Sequence, residues 1–390
     1  MTVPPNGFEG LLGDLLKAMG GTPSAAWFDA AKALATSVVA DDADAYNPDP
    51  VERIRLEELG RVVAMHVGEA TGDVVEPDVE PVTRAAWALA ALESWRPRLE
   101  PLVVAAGQQP PLLDEDEADP GAAMLARFAA SMGPMFLGLQ VGSTAGHLAE
   151  RALGSSAFPL PWPGPRSLVV VRNVAQFAED WCLDRDAVAG FTIARELTAH
   201  ATYAHEAVAT RVEQLLAAAT EAQMSAQRSL LERLSEADDP TDLSRLLSDP
   251  EALVDGLSGL DRPATGPAHD ALNAAVTALS AYFDEAARVV AARVVGDDAR
   301  LAEAWHRHRT GDSKGVEAAA ALFGVDLTRE RVELGAAFVA GVVERAGFGS
   351  LARLVGPNGL PTPAEIVAPA LWLERTSLPE LDAPGDQPAG

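Results

Sequence analysis

The chain has 390 residues and a formal net charge of −27, with 57 acidic residues against 30 basic ones. That balance excludes nucleic-acid backbones and anionic membrane surfaces as expected partners, since both repel such a surface. The length suffices for a large core, and the single cysteine, Cys182, excludes an intramolecular disulfide and any multi-cysteine zinc site.

Cys182 lies in Asp-Trp-Cys-Leu-Asp and reads as a small buried side chain, not a nucleophile. The opening Met-Thr-Val-Pro-Pro-Asn-Gly lacks a basic region followed by an apolar run. No signal peptide is therefore expected, and a cytoplasmic, reducing setting follows. Lys17, Lys32 and Lys314 are the only lysines and alanine is abundant, as in a GC-rich bacterial genome.

In chain order, residues 8–20 predict a short amphipathic helix that ends at Gly20-Gly21. Thr22-Pro23 opens a second helix, with threonine as cap and proline at its first position. A third runs from Pro50 to about Thr71, where His66 packs between Met65 and Val67. Residues 76–81 read as a turn and Thr83 to Trp95 as a helix. The acidic, proline-bounded segment 108–120 has no periodicity and is the expected linker. It separates an N-terminal helical region, 1–107, from a helical core over 121–378, with a flexible tail at 379–390.

Gly138, Gly142 and Gly146 mark a helix over 122–153 with a four-residue small-residue stripe. Membrane helices use that pattern, but Ser131, Gln140, Ser143 and Thr144 dilute the apolarity. A buried helix that lets a neighbour approach closely is the expectation, with His147 hydrogen-bonded at its end. A strand is expected over 167–171, and Asn173 with Gln176 forms a capping-box pattern for the next helix.

Asp184 caps the helix around which the chain is organised, expected to run on through Leu216. Ile193, Leu197, Ala201, Ala204, Val208, Val212 and Leu215 recur at three- and four-residue steps. Helical breaks follow at 238–240 and 261–267; a helix from about Leu327 stops at Gly347. Thr362-Pro363-Ala364-Glu365 caps a last helix that reaches Trp372. The fold class is mainly α, with a few short strands at most.

The central helix also carries the candidate chemistry. Glu196 and His200 lie about 40° apart and one turn along, close enough to share a metal ion. His205 is about 140° round from His200, so the two converge only if the helix breaks. A side-chain hydrogen bond or a surface cluster of Arg195, Glu196 and His200 explains the same spacing. His306 and His308 alternate with arginines, which discourage metal binding.

The order and spacing of several segments identify a resemblance. They are Pro81-Val-Thr-Arg-Ala-Ala-Trp87 with Trp95, Met135 to Gly142, Val171 to Phe177 leading into Arg195-Glu196, and Leu360 to Ile366. Together they resemble the zincin-like metallopeptidase type 2 family over nearly the whole chain. The resemblance implies a zincin-like helical fold, a His-Glu-x-x-His-like metal helix, and a later helix that supplies a glutamate ligand.

Here Arg195 stands at the first histidine, Glu196 keeps its type and place, and His200 comes one residue late, after Ala199. The second motif maps onto Ser280 to Asp284, with Ser280 in place of the glutamate. The resemblance with these departures implies a catalytically degenerate relative that holds no metal and is retained to bind or scaffold a protein or peptide. The alternative it implies is an active zinc hydrolase, with Glu196 as general base, His200 as ligand, and further ligands from Asp284, Glu285 or His269. On the first reading, Arg195 needs a carboxylate in the old metal cleft, and Asp284 and Glu285 are the candidates.

Overall fold

The computed structural model describes residues 23–40, 47–107, 120–162, 164, 166–235, 266–296, 299–311 and 313–377. The expected helix over 8–20, the linker apart from Pro120, the break at 238–240, most of that at 261–267 and the tail from 379 lie outside them.

The described chain is mainly helical. Helix α1 spans Pro23–Val38, α2 Pro50–Thr71, α3 Arg84–Gly107 and α4 Pro120–Ala149. Helix α5 spans Val171–Asp180, α6 Arg185–Ala204, α7 Glu206–Ser235 and α8 Pro267–Val294. Helix α9 covers Ala299–Thr310, α10 Lys314–Phe323, α11 Arg329–Ala346, α12 Pro363–Val367 and α13 Pro369–Ser377. Strands β1, Val79–Val82, and β2, Ser167–Val170, form a parallel pair with Val79 opposite Ser167 and Val82 opposite Val170.

Strand β1 corrects the expected turn at 76–81. Pro77 just before the strand and Pro81 within it mask its alternation, and Pro81 is tolerated because β1 has only one partner. Helix α3 also runs further than expected. It passes Pro97 and Pro101 because buried Leu99 and Val103 hold its second half against the core.

The glycine stripe of α4 does pack closely against another helix. A β-carbon on Gly138 would lie 2.3 Å from the Trp27 carbonyl oxygen, and one on Gly142 2.3 Å from that of Ala31. Helix α1 therefore lies almost backbone to backbone on α4. No single described helix is long and apolar enough to cross a membrane. Gly142→Ala should destabilise the protein, by roughly 3 kcal/mol for an overpacked contact that only a main-chain shift can relieve. An exposed helical glycine changed to alanine gains instead about 1 kcal/mol, so the sign of the change in a urea melt tests the contact.

Helix α6 is buried on all sides from Ala187 to Ala199 instead of along one stripe, and Ala204 at its end is exposed. Asp184 caps it as expected, accepting from the Ala187 amide at 2.9 Å. The helix does not continue through 216 unbroken. His205 adopts an extended conformation, with φ −71° and ψ 108°, and α7 starts after it. Helix α8 packs against α2, α6, α7, α11 and α12, so α6 and α8 together form the centre of the molecule.

The capping box at Asn173 is also corrected. Helix α5 starts at Val171 without a side-chain cap. Asn173 is buried instead and donates to the carbonyls of Ala149 and Ala152, which ties down the end of α4. The box at Thr362 and Glu365 is formed, but the chain bends at Ala368, so Trp372 lies on a separate helix, α13.

Candidate functional site

Glu196 is buried on α6, facing a short 3-10 turn at Ser155–Ala157. That turn is fixed from several directions. Gly154 bridges to Val169 of β2, and the Trp87 indole donates to the Gly154 carbonyl at 2.9 Å. One Glu196 oxygen accepts from Ser155 Oγ at 2.8 Å and the Ser156 amide at 2.6 Å; the other accepts from Ser156 Oγ. A β-carbon on Gly154 would lie 2.4 Å from Glu196 Cδ, so only glycine leaves room for the carboxylate. Burial pushes the Glu196 carboxyl above its ordinary value, opposed by the Arg195 charge and the serine donors.

Arg195 is 2% exposed, so its charge must be met inside the protein. Its Nε donates to Asp284 Oδ1 at 2.7 Å, and its Nη1 donates to the Ser156 carbonyl at 2.9 Å and to Ser156 Oγ. Nη1 also lies 3.8 Å from Glu196 Oε1, so the two neighbours in sequence are neighbours in space as well. The guanidinium carbon sits 5.2 Å from the centre of the Trp305 ring.

Ser280 and Asp284 are one turn apart on α8 and present both side chains to Arg195; Trp305 and Arg309 repeat that spacing on α9. Arg309 Nη1 donates to Ser280 Oγ at 2.9 Å and to Asp284 Oδ2 at 2.7 Å. One carboxylate thus bridges two guanidinium groups. The expected partner Asp284 is present, whereas Glu285 bonds to Arg288 at 2.7 Å.

The remaining candidates are dispersed. His200 is half-buried and lines a small cavity with Ser155, Ser156, Glu196 and Tyr203, where burial pushes its imidazole down against the pull of Asp78. His205 bonds to Asp73 at 2.9 Å. His269 is buried in the first turn of α8, about 22 Å along the axis from Asp284, and both its ring nitrogens lack a hydrogen-bond partner. His66 contacts Glu69 at 3.1 Å and His147 contacts Glu150 at 3.2 Å.

His306 and His308 lie on α9. His308 stacks on Trp305, with 5.5 Å between ring centres, and meets Phe177 edge-on at 5.3 Å. Cys182 is exposed, contrary to expectation. Its main chain is left-handed, φ 51°, in the turn after α5, and that turn leaves the side chain in solvent.

These residues do not suit zinc. Both oxygens of Glu196 and both of Asp284 are committed to protein donors, and a permanent cation stands between the carboxylates. Among the described residues, no group of three or more His, Cys, Asp or Glu side chains could hold a metal ion. Ser155, Ser156 and Arg309 were not singled out from the sequence. Their only trace is a Gly-Ser-Ser step after α4 and an arginine four residues beyond a tryptophan.

The family model for zincin-like metallopeptidases matches residues 27–373. The chain belongs to this family. The fold is shared with a solved structure from Chloroflexus aurantiacus, described as a candidate hydrolase with a novel fold. The two are 18% identical with a TM-score of 0.59, and the match covers 90% of this chain and 99% of the other. No curated protein matches the sequence.

Proposed function

We propose that this zincin-like chain is a catalytically degenerate family member that works by binding, with a protein or peptide as partner. The observation that carries the reading is Arg195. Its guanidinium lies between Glu196 and Asp284 and holds the latter at 2.7 Å, where the family relationship would put a dication. Removing that charge from water would cost several kcal/mol without Asp284, so arginine and aspartate support each other and leave no carboxylate for a metal.

A second reading, an active zinc-dependent peptidase, is favoured by one observation. Glu196 shares a small cavity with His200 and is pushed toward holding a proton, as suits a general base. On that reading zinc is the cofactor. Elemental analysis of protein purified without chelators separates the two. The degenerate reading expects no stoichiometric zinc. One zinc per chain, removed by chelator and lost in His200→Ala, would overturn it.

A further inference from the structure

We infer that the space between α6, α8, α9 and α11 is a binding site for a carboxylate carried on an apolar body, with Arg309 receiving the head group. The inference rests on the reading that the Arg195–Asp284 pair, and no metal, occupies the old catalytic centre.

Two cavities adjoin there. A small one, about 60 Å³, is bounded by Arg195, Glu196 and Thr192. A larger one, about 490 Å³, is walled by Phe191 and by Val332, Ala336, Val339 and Val343 of α11. That volume lies within the range of small-molecule sites, about 300–1,000 Å³. The cavities share Ser280, Trp305, Arg309 and Leu327, so Arg309 stands where the cavity that holds Arg195 and Glu196 meets the larger one.

Charge accounting selects the head group. Asp284 is shared by two guanidinium groups, one oxygen to each. Arg309 commits only Nη1, and among the described residues no acceptor takes its Nε or Nη2. Those two nitrogens form one edge of the planar fork, spaced to meet both oxygens of a carboxylate. Glu285 and Asp326, which also line the larger cavity, are paired with Arg288 and Arg331 of the same lining, so the two guanidinium groups that share Asp284 are the cations left to meet an anionic head group. The apolar walls then take the body of the ligand, the usual division of labour in such pockets.

Isothermal titration tests this with two pairs of probes. One pair is 4-phenylbutyrate and 4-phenylbutanol; the other is a tripeptide ending in phenylalanine and the same peptide as its amide. At least one acid should bind, about tenfold or more tighter than its neutral counterpart, as a charge-assisted fork contact gives. The tighter acid shows whether the carboxylate comes from a small molecule or a chain end. Arg309→Gln should abolish the preference for the acid.

Ala336→Trp, at an exposed position of α11, should weaken the acid and its neutral counterpart alike by filling the apolar part. Because it leaves the buried ion pairs intact, it keeps the test informative if Arg309→Gln fails to fold. Equal affinity for acid and neutral probe, or no binding of either acid by folded wild-type protein, overturns the inference. A zinc-free protein that ignores both acids sinks this inference alone, whereas stoichiometric zinc sinks the degenerate reading beneath it.

Discussion

Arg195→Ala is expected to destabilise the protein by about 3–5 kcal/mol, as removing one partner of a buried ion pair does. Three things are lost together: the 2.7 Å bond to Asp284, the donor to the Ser156 carbonyl and the cation 3.8 Å from Glu196. Asp284 keeps Arg309, which limits its own penalty, but Glu196 is left buried with only neutral donors. Denaturant unfolding of Arg195→Ala, Asp284→Ala and the double variant forms a thermodynamic cycle. The double variant should lose clearly less than the sum of the singles. Strict additivity would mean that the two side chains do not act as a pair.

The second large effect is acid sensitivity from His308. Burial, with Arg151 and Arg309 nearby, pushes its imidazole from 6.5 down to about 4, against a hydrogen bond with the Arg151 main chain. The unfolded chain therefore takes up a proton near pH 6.5 that the folded chain refuses until about pH 4. Stability from this group is fully present above 6.5 and is lost as pH falls through that window. The loss is worth roughly 3 kcal/mol, at about 1.4 kcal/mol per pH unit. His308→Phe, which keeps an aromatic ring between Trp305 and Phe177, should flatten the dependence of the unfolding midpoint on pH in this range. An unchanged slope would refute the assignment.

Glu196 acts with the opposite sign. Its folded-state value is raised above 4.5, so its contribution worsens as pH rises from there, and Glu196→Gln isolates that part.

The helices were legible in the sequence wherever the signal was local. The Asp184 cap, the box at Thr362 and Glu365, and the stop at Gly347 are short-range hydrogen-bond patterns that the main chain reproduces. The α4 glycines were legible because a four-residue small stripe has a single geometric meaning once the helix is buried. Strand β1 was not, because its pairing with β2 joins residues far apart in sequence and two prolines hide its alternation.

The capping box at Asn173 failed for a related reason. A buried asparagine was worth more to the carbonyls at the end of α4 than to its own helix start. At the site, the sequence pointed to Arg195 needing Asp284 or Glu285, since a cation in a cleft requires a carboxylate, and the structure brings only Asp284 to it. It could not show that a serine turn from 155–157 surrounds Glu196, or that Arg309 shares Asp284. Those contacts depend on how β2, α6 and α9 pack, which no local pattern encodes.

On the proposed reading, a guanidinium–carboxylate pair has replaced the metal of a zincin-like site. Thermal melting of chelator-treated protein titrated with zinc tests it most directly, because a ligand that binds only the folded state raises the midpoint. The account predicts a midpoint that does not move in excess zinc, and a lower one in Arg195→Ala with or without the metal. A midpoint that climbs, saturates at one zinc per chain and stays put in Glu196→Ala or His200→Ala would contradict it.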